Sequence, residues 1–141
     1  MPDFNNPTTP QRSRAGATSS GNPERSAAMI PASKDLIGCH VTNHQQEDLG
    51  KIEDIMVEPG TGRVAYGVLS FGGFLGLGDK LFAIPWNAMT YDRGRRSFLL
   101  NVNKESLKNA PGFDRDNWPN MADTQWGTNI HSYYGSDPYW K

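Results

Sequence analysis

Residues Gly62 to Trp86 constrain the fold of this chain more than any other stretch. They run Gly-Arg-Val-Ala-Tyr-Gly-Val-Leu-Ser-Phe-Gly-Gly-Phe-Leu-Gly-Leu-Gly-Asp-Lys-Leu-Phe-Ala-Ile-Pro-Trp. As a strand, Arg63 to Phe71 puts Val64, Tyr66 and Val68 on one face and Ala65, Gly67, Leu69 and Phe71 on the other. Both faces are apolar, whereas a strand with one wet face alternates, so this one is expected to be covered on both sides. Lys80 to Ile84 predicts a second apolar strand, stopped at Pro85, which has no N–H for a ladder. The loop between them is rich in glycine and carries Phe74, Leu75 and Leu77, where loops are usually polar.

The neighbouring segments extend the same pattern. Leu36 to Val41 predicts a short strand, Asn43 to Asp48 a polar turn, and Leu49 to Glu58 a longer strand. In that longer strand the apolar positions change phase between Ile52 and Ile55, which predicts a bulge near Glu53 and Asp54. Pro59-Gly60-Thr61-Gly62 is a turn signal, and Met89–Asp92 with Ser97–Val102 flank Arg93-Gly94-Arg95-Arg96 as a last hairpin. Short strands and close turns with few helices between them predict a mainly β fold, a small closed or nearly closed six-stranded barrel. Residues 103–109 predict a short helix. After Pro111-Gly112 the chain turns aromatic, and Trp118, Ala122, Trp126, Ile130 and Tyr133 or Tyr134 recur at the spacing of one helix face.

Three regions follow. Residues 1–32 hold five of the ten prolines and few large apolar groups, a composition that cannot offset the cost of ordering a chain and predicts a disordered tail. Residues 33–113 form the barrel. Residues 114–141 form an aromatic helical extension that needs a surface to dock on, either its own barrel or a second copy.

Composition bounds the function. Apolar residues make up 36% of the 141, and the mean hydropathy is −0.64, in keeping with a chain only partly packed. The 14 Lys and Arg are spread through the chain against 15 Asp and Glu, without the broad basic field that phosphate backbones require, which argues against nucleic acid. One cysteine rules out an internal disulfide framework and suits a reducing compartment. With no secretory pattern at the start and no apolar run of about 20 residues, the expected location is cytoplasmic.

No motif assembles a catalytic or cofactor site. Cys39, His40 and His44 are of metal-ligating types, but adjacent strand residues point to opposite faces, so Cys39 and His40 are not expected to share an ion. Gly73 and Gly78 have phosphate-loop spacing, yet Asp79 stands where the lysine should be and a strand follows instead of a helix. Glu47, Asp48, Glu53, Asp54 and Glu58 lack the spacing of a calcium loop, and Glu53-Asp54 followed by Arg63 is expected to give surface charge pairing. Phe74, Leu75 and Leu77 either form a docking patch or fold back to plug the barrel. Trp86 either caps the core or anchors a partner.

Leu49-Gly50-Lys51-Ile52-Glu53-Asp54, Gly62-Arg63-Val64-Ala65-Tyr66, Gly72 to Lys80 and Ala83-Ile84-Pro85-Trp86 occur in an order that resembles the PRC-barrel domain, over Gly38 to Phe113. The resemblance implies a compact six-stranded barrel like that in the cytoplasmic part of the photosynthetic reaction centre H subunit. A similar module ends a ribosome maturation factor. The chain is more similar to free-standing bacterial members. Protein binding is the activity this implies, with no enzyme chemistry and no cofactor, and the candidate partner surface is Phe74, Leu75, Leu77 and Trp86. A homodimer is one arrangement that fits. A membrane-peripheral assembly factor and an RNA- or ribosome-associated barrel are the alternatives.

Overall fold

In the computed structural model, residues 29–72 and 79–141 are described. The tail expected over residues 1–32 therefore falls almost wholly outside the described residues, as do Phe74, Leu75 and Leu77. Residues Ala32–Lys141 form one unit. It begins with a helical turn, α1 (Ala32–Asp35), and continues through β1 (His40–Thr42), β2 (Asp48–Glu58), β3 (Arg63–Gly72) and β4 (Asp79–Pro85). A 3₁₀ turn over Trp86–Ala88 leads to β5 (Met89–Asp92), β6 (Ser97–Leu100), α2 (Lys104–Lys108) and α3 (Thr124–Tyr133).

The six strands make one curled sheet in the order β4-β3-β2-β1-β6-β5, antiparallel throughout except for the parallel pair β1 and β6. The fold is thus mainly β, an open half-barrel with β4 and β5 as its edges. The curl brings β5 back against the inner face of β3: a Cβ on Gly67 would lie 2.8 Å from Cε of Met89. Leu49, Ile52, Leu69, Phe82, Met89, Phe98 and Leu107 fill this concave core.

β3 is covered on both faces, as its sequence predicts, with Ala65 to Leu69 all buried. The second cover is α3 and the chain after it. Ala65, Tyr66 and Ala83 pack there on Ile130, with Trp126, Tyr134 and Tyr139 around them.

The bulge in β2 falls where the phase change places it. Ile52 faces Leu69 and Asp54 faces Val68, so Glu53 is the extra residue. The first strand is shorter than expected. Leu36 and Ile37 belong to the turn after α1, their amides bonding to the Ala32 carbonyl at 3.0 and 2.9 Å, and regular pairing starts only at His40. Gly38 makes that change of direction, at φ +89°. The next turn is organised by Asn43, which is buried but fully engaged. Its Oδ1 accepts from the Gln45 and Glu47 amides, and its Nδ2 donates to Glu47 and to the Val102 carbonyl. The Asn43 amide and the Lys104 backbone N–H hold the Glu47 carboxyl below its ordinary range.

The aromatic stripe is corrected. The expected face runs from Trp118, but the helix starts at Thr124. Pro119 disfavours helical backbone at Trp118, and Asp123 caps the helix by accepting from the Gln125 N–H at 2.9 Å. Trp126 and Ile130 keep their inward places, whereas Trp118 and Ala122 lie in the irregular chain before the helix.

Candidate interaction surface

A second irregularity in the β2–β3 ladder shapes the surface. Met56 faces Tyr66 and Val57 faces Val64, so Ala65 is the extra residue on β3. A bulge re-aims the side chains beside it. Ala65 and Tyr66, adjacent in sequence, consequently share the cluster under α3. On β2, Val57 is left 51% exposed. The following turn is closed by the Thr61 and Gly62 amides, which donate to the Glu58 carbonyl at 3.3 and 2.8 Å.

Arg63 ties this turn to the C-terminal chain. Its guanidinium lies 3.5 Å from the Glu58 carboxylate, donates to the Tyr139 carbonyl at 3.0 Å and sits 5.9 Å from the Tyr139 ring centre. From the other side comes Trp118, whose indole N–H donates to the Arg115 carbonyl at 2.8 Å and whose ring lies 5.2 Å from Phe113. Trp118 remains 38% exposed. Between the two flanks runs a groove of about 360 Å³, lined by Val57, Ala65 and Tyr66 from the sheet and by Trp118, Met121 and Tyr139 from the C-terminal segment.

The groove floor is neutral. Burial, with a smaller contribution from Tyr139, pushes the Tyr66 hydroxyl up to about 12, so it stays protonated at physiological pH. Tyr134 is raised further, by burial and then by Tyr133. Glu58 is the one charged lining residue among the described residues, and Arg63 already holds it. Behind the floor, His131 is 1% exposed, its Nδ1 2.7 Å from the Gly127 carbonyl and its ring among Tyr66, Tyr139 and Trp140. Tyr66 Oη, His131 Nε2 and Tyr134 Oη are buried without a hydrogen-bond partner among the described residues.

The model of the PRC-barrel domain matches residues 32–107. The chain belongs to the PRC-barrel family. Comparison with curated protein sequences found no match. The PRC-barrel match spans all six strands and most of α2, and it ends before Phe113, Trp118 and α3. One flank of the groove is therefore family barrel, and the other is chain beyond the family match.

Among the described residues, those singled out in the sequence do not gather in the groove of this PRC-barrel. Trp86 is half-buried in the 3₁₀ turn, packed on the core with its ring 5.3 Å from Phe98, and does not line the groove. Cys39 is half-buried, and its thiol donates to the Asp35 carbonyl at 2.8 Å. Burial first, and Asp35 second, raise that thiol above its ordinary range, the reverse of what a nucleophile needs. His40 is exposed, 3.7 Å from Asp48, and His44 is exposed in the turn. Among the described residues no three His, Cys, Asp or Glu side chains converge.

The charge pairs differ in detail from the expectation: Glu53 pairs with Arg115, and Arg63 with Glu58. No helix among the described residues is long and apolar enough to cross a membrane. Val57, Met121 and Tyr139 escaped the sequence reading. The Trp118-Pro119 pair was the one local signal that could have freed Trp118 from the helix and pointed to the groove.

Proposed function

We propose that this PRC-barrel protein is a non-enzymatic adaptor of the cytoplasm, and that a protein partner seats in the groove between Val57 and Trp118. The observation that carries this reading is the exposure of those two side chains on facing flanks. A segment that covers the neighbouring Ala65, Tyr66 and Ala83 leaves them open. Burying such surface contributes about 25 cal/mol per Å², and tryptophan is favoured at the centre of interfaces. Catalysis would call for converging titratable groups. A Glu58 held by Arg63 and a Tyr66 hydroxyl kept neutral favour contact over chemistry.

A second copy of the chain is one partner of suitable character, and the mass of the protein in solution tests it. Phe74, Leu75 and Leu77 with Trp86 remain a second proposed contact, on the strength of their sequence. Val57→Asp tests the groove. At a half-exposed position it is expected to shift the melting temperature by only a few degrees. Partners retained by the immobilised wild-type chain should be held at least about ten-fold more weakly. Unchanged retention would overturn the groove as the binding surface.

A further inference from the structure

The two edges of the sheet are finished differently. At β4, Leu81 exchanges two backbone hydrogen bonds with Phe113, at 3.0 and 2.8 Å. At β5, the backbone of Thr90 to Asp92 pairs with β6 alone among the described residues. The C-terminal segment packs over β3 and β4 and bonds through Ser136 and Asp137 to Asn87, just before β5, but none of its residues lines the face beyond. There Thr42, Leu99 and Thr90 stand side by side across β1, β6 and β5. They line a groove of about 540 Å³ that is closed at the hairpin turn by Arg93 and Arg95.

The turn itself is Arg93-Gly94-Arg95-Arg96, three cations in four exposed positions. Arg95 shares Asp92 at 3.8 Å in an exposed pair, which is worth little and easily exchanged. Arg93 and Arg96 have no carboxylate within ion-pair distance among the described residues. Charge beside a free strand edge repels another edge of the same sign. It therefore rejects a second copy of this hairpin while favouring an acidic strand. Arginine also suits this task because its fork binds a carboxylate through two parallel hydrogen bonds.

We propose that β5 and the Arg93–Arg96 turn accept an extended acidic segment of another protein. The segment lies beside β5 as an added strand, sets carboxylates on Arg93 and Arg95, and rests an apolar side chain on Leu99. This surface shares no residue with the Val57 groove, so the failure of either leaves the other standing.

The test uses the full ¹⁵N-labelled chain and a short synthetic peptide of alternating Val and Glu, with Gln-for-Glu and Lys-for-Glu versions as controls. The expected result is amide shifts at Thr90, Tyr91, Asp92, Ser97 and Leu99 with the Glu peptide only. Affinity should fall about ten-fold in Arg93→Glu with Arg95→Glu, and again on raising salt to about 0.5 M. The melting temperature of the double variant checks its fold, and Arg93→Gln with Arg95→Gln serves if charge reversal unfolds the hairpin. Equal shifts with the Lys peptide, or full affinity in either double variant, would overturn the proposal. So would retention of the chain by phosphatidylglycerol vesicles when the Glu peptide produces no shifts, which would assign the arginines to a lipid surface.

Discussion

Gly50→Ala is expected to cost more than about 3 kcal/mol and to lower the melting temperature by more than about 10 °C. Gly50 sits in β2 at φ +115°, a backbone region that side-chain-bearing residues rarely enter. A Cβ there would lie 2.1 Å from the Ser70 carbonyl oxygen and 3.2 Å from the Phe71 Cα. Those atoms are backbone of β3, held by its pairing with β2 and β4, so no side chain can rotate away to make room. The collision and the strained dihedral act together. Gly60→Ala is the control: its added Cβ meets nothing within 4 Å and its φ is ordinary, so the change should stay within about 0.5 kcal/mol. Thermal denaturation followed by circular dichroism measures both. If Gly50→Ala melts with the wild type, β2 does not approach β3 as closely as described.

A chain ending at Gly112 is expected to lose cooperative unfolding altogether, although it retains every residue of the family match. It would lack Phe113, which covers the β4 edge, and α3, which covers Ala65, Tyr66 and Ala83. Those three residues are at most 5% exposed in the full chain. Losing a large buried apolar contact costs about 2–5 kcal/mol, and several are lost here, against a total stability of about 5–15 kcal/mol for a domain. The truncated chain should bind a hydrophobic dye and show no sharp calorimetric transition. Ile130→Asp in the full chain should move part of the way toward that state, because it buries a charge at a position 2% exposed. A truncated chain that melts sharply would mean the C-terminal segment is an accessory, not a layer of the fold.

Much of this architecture can be read from local chemistry. The doubly apolar faces of Val64 to Phe71 predict two covers, and the C-terminal aromatics supply the second. The bulge at Glu53 is legible because the apolar phase slips across it. The bulge at Ala65 is not, because Ala65 and Tyr66 are both apolar and no change of polarity marks the slip. The parallel pairing of β1 with β6 joins segments far apart in sequence and has no local signature. Gly127 looks like a helix weakness in the sequence. In the structure its missing Cβ admits the Tyr66 hydroxyl and the Trp140 ring, which that atom would approach to 2.9 and 3.0 Å. The candidate site was the least legible part, since the groove is assembled by a bulge and by a helix that starts late.

If, as proposed, this molecule works by contact at the open groove, photo-crosslinking in the native cell should trap a partner there. A benzophenone amino acid at Val57, 51% exposed on the groove flank, is compared with the same group at Thr128, exposed on α3. Contact at the groove should yield a small set of discrete protein adducts at Val57 that disappear when Trp118→Ser is added. Adducts at Val57 no different from those at Thr128, or none at all, would contradict it.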